Sequence, residues 1–259
     1  MPIINGLVIE RVADLGIILE KNFLLEIVYK FLKNDKKCKK LKKILTPLWG
    51  QEIIYLDYNG FSCVILSAQG AAFAANAVER LKRTGVKCIF CIGTTGSTDM
   101  SITAGQYILP TAAVRNEGTT RGYVNIEVPA VSDLQIVLPL KKEFEKMKIF
   151  PLLGTIFTTD KRYRENPQLF KELFKCANVL CVDMETSAIF VTAMFYGISA
   201  AAIKIVTDCA VKDNKDNIVG VFEVADNYYS WIKPKILIAI QICLKTFSER
   251  RNYISNQKL

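Results

Sequence analysis

Apolar runs that alternate with amphipathic helical patterns are the feature that most constrains the fold of this chain. The clearest unit is AAFAANAVERLKRTG, residues 71–85, in which apolar positions recur at helical spacing and a glycine ends the pattern. The apolar run VKCIFCI follows directly, at residues 86–92. This order is typical of proteins in which helices cover both faces of a buried sheet. The sequence therefore predicts an α/β fold.

The same alternation runs through most of the chain. Other strand-like runs lie at 52–58, 61–67, 106–113, 152–159, 178–183 and 201–206, and helical patterns lie at 22–33, 134–147, 165–175, 186–196 and 221–247. No linker rich in Pro, Gly or Ser divides the chain, so we expect a single domain over residues 1–259. The polar segment at 249–259 is expected to fray.

Composition excludes several classes of site. The chain has no histidine, which removes Ser-His-Asp and Cys-His catalysis and the common zinc-hydrolase sites. Cys88 and Cys91 have CxxC spacing, but they lie in a predicted strand and have no second pair, so we expect neither a metal nor a redox site. Acid–base chemistry must come from carboxylates, Lys, Tyr or Cys.

The location of the protein is predicted from two absences. No apolar run reaches the roughly 18 residues of a membrane span, and the first residues lack the charged-then-apolar order of a signal peptide. We therefore expect a soluble, cytoplasmic protein without a membrane partner.

The positive charge is concentrated in one segment. Eight lysines and one aspartate lie between residues 30 and 43, a net charge of +7 out of +9. No aromatic residues interleave with these lysines as in a single-strand-binding surface. We therefore predict a solvated helix end and loop, and no nucleic-acid partner.

Two predicted strands end in motifs that could bind a ligand. In Asp183-Met184-Glu185 the glutamate follows a buried strand, where open α/β sheets bind ligands. A sugar diol could satisfy its carboxylate, although a carboxylate in the first turn of a helix is also favoured by the helix dipole. In Gly93-Thr94-Thr95-Gly96, glycines allow close backbone approach, and hydroxyls and amides could hold an anion or a sugar.

Two further strand ends carry a glycine turn and an acid. Gly70 follows the strand at 61–67 and precedes the helix at 71–84. Asp208 follows the apolar run at 201–206, where it could cap a helix or donate a proton as a general acid.

Taken in order, these motifs resemble the nucleoside phosphorylase superfamily, which includes purine nucleoside phosphorylases of the hexameric type, uridine phosphorylases and methylthioadenosine nucleosidases. The resemblance covers roughly residues 50–245 and includes GTIFTTD at 154–160 and VRNEGT at 114–119. It implies a single-domain, three-layer α/β/α fold with a central mixed β-sheet. It also implies cleavage of a nucleoside's N-glycosidic bond by phosphate.

The resemblance assigns roles to individual residues. Met184 and Glu185 would bind the ribose, with the glutamate on the 2′ and 3′ hydroxyls. Thr94 and Gly70 would contact phosphate. The base would be lined by Thr95, Gly96, Asp183, Arg162 and Tyr163.

Asp208 favours a purine substrate. In the purine-specific branches, an Asp after Ser or Thr at this strand end protonates N7 of the departing base, and uridine phosphorylases lack it. The Gln-x-Arg with which uridine phosphorylases read the pyrimidine has no counterpart in the segment at 162–168. The resemblance thus implies a purine nucleoside phosphorylase that acts in purine salvage, with Asp208 as the general acid.

The chain departs from the family at the phosphate site. The Gly-Asp-Pro-x-Arg loop is absent from the matching stretch at 15–23, and Cys91 stands where the family has an arginine before its glycine loop. Lys21, Arg115 or Arg162 could replace the arginines. The nucleosidases activate water with an N-terminal Glu, and Glu20, the one acid in that stretch, fits its register poorly.

Three functions therefore stay open: a divergent phosphorylase, which we favour, a phosphate-independent nucleoside hydrolase, and a nucleoside-binding protein without catalysis. The resemblance also implies a dimer or hexamer of identical subunits. Inorganic phosphate is expected as co-substrate, with no metal and no organic cofactor.

Overall fold

The computed structural model describes residues 3–4, 7–8, 13–46, 51–162, 166–211 and 225–255. The α-helices in this part are α1 (Asn22–Lys33), α2 (Ala71–Arg83), α3 (Leu134–Lys146), α4 (Pro167–Ala177), α5 (Thr186–Phe195) and α6 (Ala225–Ser255). The β-strands are β1 (Ile3–Ile4), β2 (Leu7–Val8), β3 (Leu15–Leu19), β4 (Cys38–Thr46), β5 (Gln51–Tyr58), β6 (Phe61–Ser67), β7 (Cys88–Ser97), β8 (Tyr107–Asn116), β9 (Ala130–Val131), β10 (Leu152–Thr159), β11 (Val179–Asp183) and β12 (Ser199–Cys209).

Strands β3 to β12 form one mixed sheet. Its order is β11-β10-β8-β12-β7-β3-β6-β5-β4, with β9 added beside β8 and a further pairing between β11 and β7. Strand β7 lies parallel to β3 and β12 and antiparallel to β11. Strand β3 ends opposite Ile92 in the middle of β7, whereas the ends of β11 and β12 pair with Gly96 and Ser97 at its carboxyl end. The second half of β7 therefore lies close to the residues that follow β3 and to the ends of β11 and β12.

Helices cover both faces of the sheet. Apolar residues of α1, α3 and α6 pack with one set of strand side chains, and α2 and α5 pack with the other set. The periodicity of α2 explains this, since four of its five alanines together with Val78 and Leu81 lie on the buried side, whereas Ala72 is exposed. The predicted three-layer α/β/α fold with a central mixed sheet is confirmed.

The structure corrects three local predictions. The Gly-Thr-Thr-Gly segment is the final part of β7 and not a loop, and helix α6 continues through the expected frayed segment as far as Ser255. The lysine-rich segment is neither a helix end nor a loop beyond residue 37, because residues 38–46 form edge strand β4, paired with β5. Lysines on an edge strand oppose pairing with another chain.

Among the described helices, none combines the length and the apolar composition needed to span a membrane.

Candidate active site

The centre of the site is a row of three residues on adjacent strands. Glu20 directly follows β3, and its N–H donates to the carbonyl of Ile92 on β7 at 3.2 Å. The next residue of β7, Gly93, pairs in register with Lys204 of β12. A Cβ atom on Gly93 would lie 1.6 Å from the Glu20 Oε2 atom. Glu20 and Lys204 therefore meet because the residue between them has no side chain.

The Glu20 carboxylate accepts hydrogen bonds from the kinds of group that bind an anionic ligand. Its Oε1 accepts a hydrogen bond from the Lys204 ammonium, and its Oε2 accepts the Thr94 N–H at 3.0 Å. The Cys91 thiol donates to Oε1 at 3.4 Å. We call Gly93, Thr94 and Lys204 the anion site. Gly93 has no side chain to exclude a ligand, Thr94 donates its main-chain N–H, and Lys204 supplies a positive charge.

Lys204 also bonds Asp183. Its Nζ lies 2.6 Å from Asp183 Oδ2, and the lysine side chain is wholly buried. Burial lowers the pKa of the Lys204 ammonium well below its ordinary value, and the two carboxylates oppose that shift by stabilising the charged form. Asp183 further accepts hydrogen bonds from the Thr158 hydroxyl at 2.7 Å and the Thr186 N–H at 2.9 Å.

Glu185 lies beside this row with different partners. The carboxylate accepts the Gly70 N–H at 2.6 Å and the Met184 N–H at 3.2 Å, and the residue is 4% exposed. Burial, followed by repulsion from Asp183, raises the pKa of Glu185 to about 8, while its two N–H donors and Lys21 oppose the rise. Each oxygen retains acceptor capacity, so the carboxylate can accept donors from a ligand.

Asp208 lies at the opposite side of β7 from Glu20. It is paired with Gly96 after a register shift in β12, and a Cβ on Gly96 would lie 3.3 Å from Asp208 Oδ2. The Thr207 hydroxyl donates to Asp208 Oδ1 at 2.6 Å. Asp208 is half-buried within a strand, so it does not cap a helix. Within the described part of the chain, no group donates to the other carboxylate oxygen, Oδ2.

The three carboxylates also have the spacing of a metal site. One oxygen each of Glu20, Asp183 and Glu185 lies within 4.8 Å of the others. The Lys204 ammonium already bonds two of the three, at the position where a cation would neutralise them. A lysine therefore supplies the positive charge that such a cluster requires.

The structure brings together four of the residues predicted from the sequence: Gly70, Met184 and Glu185 are joined by hydrogen bonds, and Thr94 bonds Glu20 beside them. Asp208 lies on β12 beside Gly96. The Thr95 hydroxyl is turned inward and donates to the Val182 carbonyl at 2.6 Å, so only its backbone can face a base.

Three other predictions fare differently. The Asp183 carboxylate is bonded by Thr158, Thr186 and Lys204 inside the protein, and its role at the base stays a prediction. Arg162 is exposed, and its role at the base stays a prediction. Tyr163 lies outside the described residues.

The sequence does not indicate a role for Lys204 or the position of Glu20 in the site. The available signal was a single lysine inside the apolar run AAIKIV at 201–206. Arg115, by contrast, is not a candidate for phosphate. Its guanidinium donates to the Thr120 hydroxyl and to main-chain carbonyls of four neighbouring residues, which accounts for its charged group.

The comparisons with known proteins show the family of this chain and its fold. Residues 40–231 match the family model described as Phosphorylase superfamily, so the chain belongs to that family. It is 31% identical over 164 residues to a guanosine phosphorylase of Halorubrum lacusprofundi, covering 63% of this chain and 66% of the relative. It is 30% identical over 158 residues to a uridine phosphorylase of Thermococcus kodakarensis, covering 56% of this chain and 55% of the relative. The chain thus spans between about half and two thirds of these relatives.

Solved structures are similar over a larger share of the chain. The uridine phosphorylase of Vibrio fischeri ES114 superposes with a TM-score of 0.76 at 21% identity, over 92% of this chain and 93% of that one. A P knowlesi homolog of P falciparum PNP gives a TM-score of 0.70 at 19% identity, over 92% and 90% of the two chains. At this identity the similarity establishes the fold.

Proposed function

We propose that this protein cleaves the N-glycosidic bond of a purine nucleoside and transfers the ribosyl group to phosphate. The observation that carries the proposal is the Glu185 carboxylate, which is buried just after β11 and, among the described residues, is bonded by two main-chain N–H groups and by no cation. Burial and Asp183 raise the pKa of Glu185 to about 8, and the two hydroxyls of a ribose would supply donors that stabilise its ionised form.

The reaction requires three groups around the ribose. Glu185 accepts the 2′ and 3′ hydroxyls, and the half-exposed Met184 packs against the sugar. As the bond from C1′ to the base breaks, its electron pair moves to the base, and Asp208 donates a proton to N7. A phosphate oxygen then bonds C1′, which gives free base and ribose 1-phosphate.

A preference for purines rests on Asp208 and on the absence of a Gln-x-Arg from the segment at 162–168. Curated relatives carry guanosine, uridine and purine nucleoside phosphorylase names, so the family does not fix the base. Among the described residues no donor bonds Asp208 Oδ2, which lies beside Gly96. In the proposed reaction this oxygen carries the proton that is donated to N7. Protonation by a positioned side chain contributes roughly 10²–10⁴-fold to a rate.

Base release is the direct test. The protein is incubated with inosine, guanosine, adenosine, methylthioadenosine and uridine, with and without phosphate, and free base is measured. We expect release from a purine nucleoside that depends on phosphate. Asp208→Asn should lower it by about 10²–10⁴-fold, while Asp99→Asn, in the turn after β7, should leave it unchanged. Equal turnover by the Asp208→Asn variant would remove the general-acid assignment.

A second candidate function is hydrolysis of the same nucleosides. The observation that favours it is the Glu20 carboxylate on the Thr94 N–H, a position that a phosphate oxygen would otherwise use. Equal release of base without phosphate would establish the hydrolase. No release from any nucleoside, together with nucleoside binding in a calorimeter, would leave a binding protein.

A further inference from the structure

The anion site is filled by a side chain of the protein itself. Both oxygens of the Glu20 carboxylate accept hydrogen bonds within this site, one from the Lys204 ammonium and the other from the Thr94 N–H. It lies so close to the backbone that a side chain on Gly93 would overlap it. The donors that recognise a carboxylate here are those that would recognise a phosphate oxygen.

The charge of the site also opposes a second anion. Glu20, Asp183 and Glu185 converge within 4.8 Å, and Lys204 is the one cation bonded to them among the described residues. A phosphate brought against this group would face more negative than positive charge in a buried setting. Departure of the Glu20 carboxylate removes one negative charge from this group and leaves the Lys204 ammonium and the Thr94 N–H open to another anion.

We propose that Glu20 is an internal anion that occupies the acceptor site of this enzyme, so that phosphate binds on Lys204 and Thr94 only by displacing it. Glu20 thereby sets the affinity for phosphate, and Lys204 is the cation that replaces the family's arginines. This inference rests on the proposed function for the identity of the acceptor. The competition itself involves only the protein and an anion.

Phosphate binding without nucleoside tests the competition. Inorganic phosphate is titrated into the wild type and into Glu20→Ala in a calorimeter, with the phosphate-dependent rise in Tm as a second readout. We expect the Glu20→Ala variant to bind phosphate at least about tenfold more tightly, the equivalent of 1.4 kcal/mol. Glu20→Gln, which keeps the size and removes the charge, should show a smaller gain and serves if the alanine variant does not fold.

Two further variants make the result specific. Glu20→Ala combined with Lys204→Met should lose the gain, since the cation is gone. Glu143→Ala is the matched control, because Glu143 is as buried as Glu20, at 3% exposed, and pairs with lysines on α3 and α6. It should bind phosphate as the wild type does. An unchanged or weaker affinity for phosphate in both Glu20 variants would overturn the proposal.

The outcome is independent of catalysis. If Glu20→Ala binds phosphate tightly while the wild type releases no base from any nucleoside, the proposed function fails and the competition stands. If the wild type releases base with phosphate while the Glu20 variants show no gain in affinity, the proposed function stands and phosphate binds elsewhere.

Discussion

Glu20 and Glu185 are two buried glutamates in neighbouring environments. Glu20 is already paired with a cation, whereas Glu185 can accept donors from a ligand. Both follow a strand of the sheet and are 3% and 4% exposed, respectively. Glu20 bonds a buried ammonium as well as an N–H, whereas Glu185 bonds two N–H groups. A paired carboxylate is already neutralised, while an unpaired one favours new donors. The comparison shows that the partner, and not the burial, decides which carboxylate can accept a ligand.

Removal of Lys204 should have the largest effect, because it takes away the cation that distinguishes the environment of Glu20 from that of Glu185. In Lys204→Met, the buried Glu20 and Asp183 lose their shared cation, which should lower the free energy of unfolding by about 3–5 kcal/mol. Urea denaturation measures it. Lys245→Met is the matched control, because Lys245 pairs with Glu143 at 2.6 Å but is 55% exposed, and it should cost less than about 1 kcal/mol. Equal costs for the two variants would show that Glu20 does not depend on its ammonium.

Gly93→Ala tests whether the Glu20 carboxylate lies against the backbone of β7. Its Cβ would overlap Glu20 Oε2, so the carboxylate must move, at a cost of roughly 1–3 kcal/mol. In a Glu20→Ala background the overlap is gone, and the same substitution should cost little. Gly122→Ala is the control, since its added Cβ meets nothing within 4 Å. A double-mutant cycle on unfolding free energies measures the coupling, and additive costs would contradict the contact between Glu20 and Gly93.

The two glutamates also differ in how far the sequence revealed them. Glu185 was identified because its surroundings are local, in a short motif between a strand and a helix. The contact of Glu20 with Lys204 joins residues 184 positions apart and depends on the pairing of Lys204 with Gly93. No periodic pattern specifies that register, so the sequence showed only a lysine within an apolar strand.

The strands of the sheet also differ in how well the sequence predicted them. Strands β5, β6 and β10 were predicted within a residue of their ends because they are apolar and bounded by turns. Strand β4 was missed because its lysines look like a solvated loop. Pairing with β5 makes it a strand, and Lys43 then bonds Glu26 and Glu52 at 2.8 Å each. The charge of this lysine-rich segment predicted its exposure to solvent correctly, but it predicted a loop where the chain forms a strand.

The pH dependence of stability is the smallest and most selective test of the comparison. The folded pKa of Glu185, about 8, is above its ordinary value of 4.5. The folded state therefore keeps a proton that the unfolded chain releases, and the wild type should lose stability as pH rises from about 4.5 to about 8. Glu185→Gln cannot titrate and should gain on the wild type by at least about 1 kcal/mol over this range, the equivalent of one pKa unit. Urea denaturation at pH 5, 6, 7 and 8 measures the difference between the two proteins. Parallel profiles would mean that Glu185 is ionised in the folded state throughout, and its environment would then resemble that of Glu20.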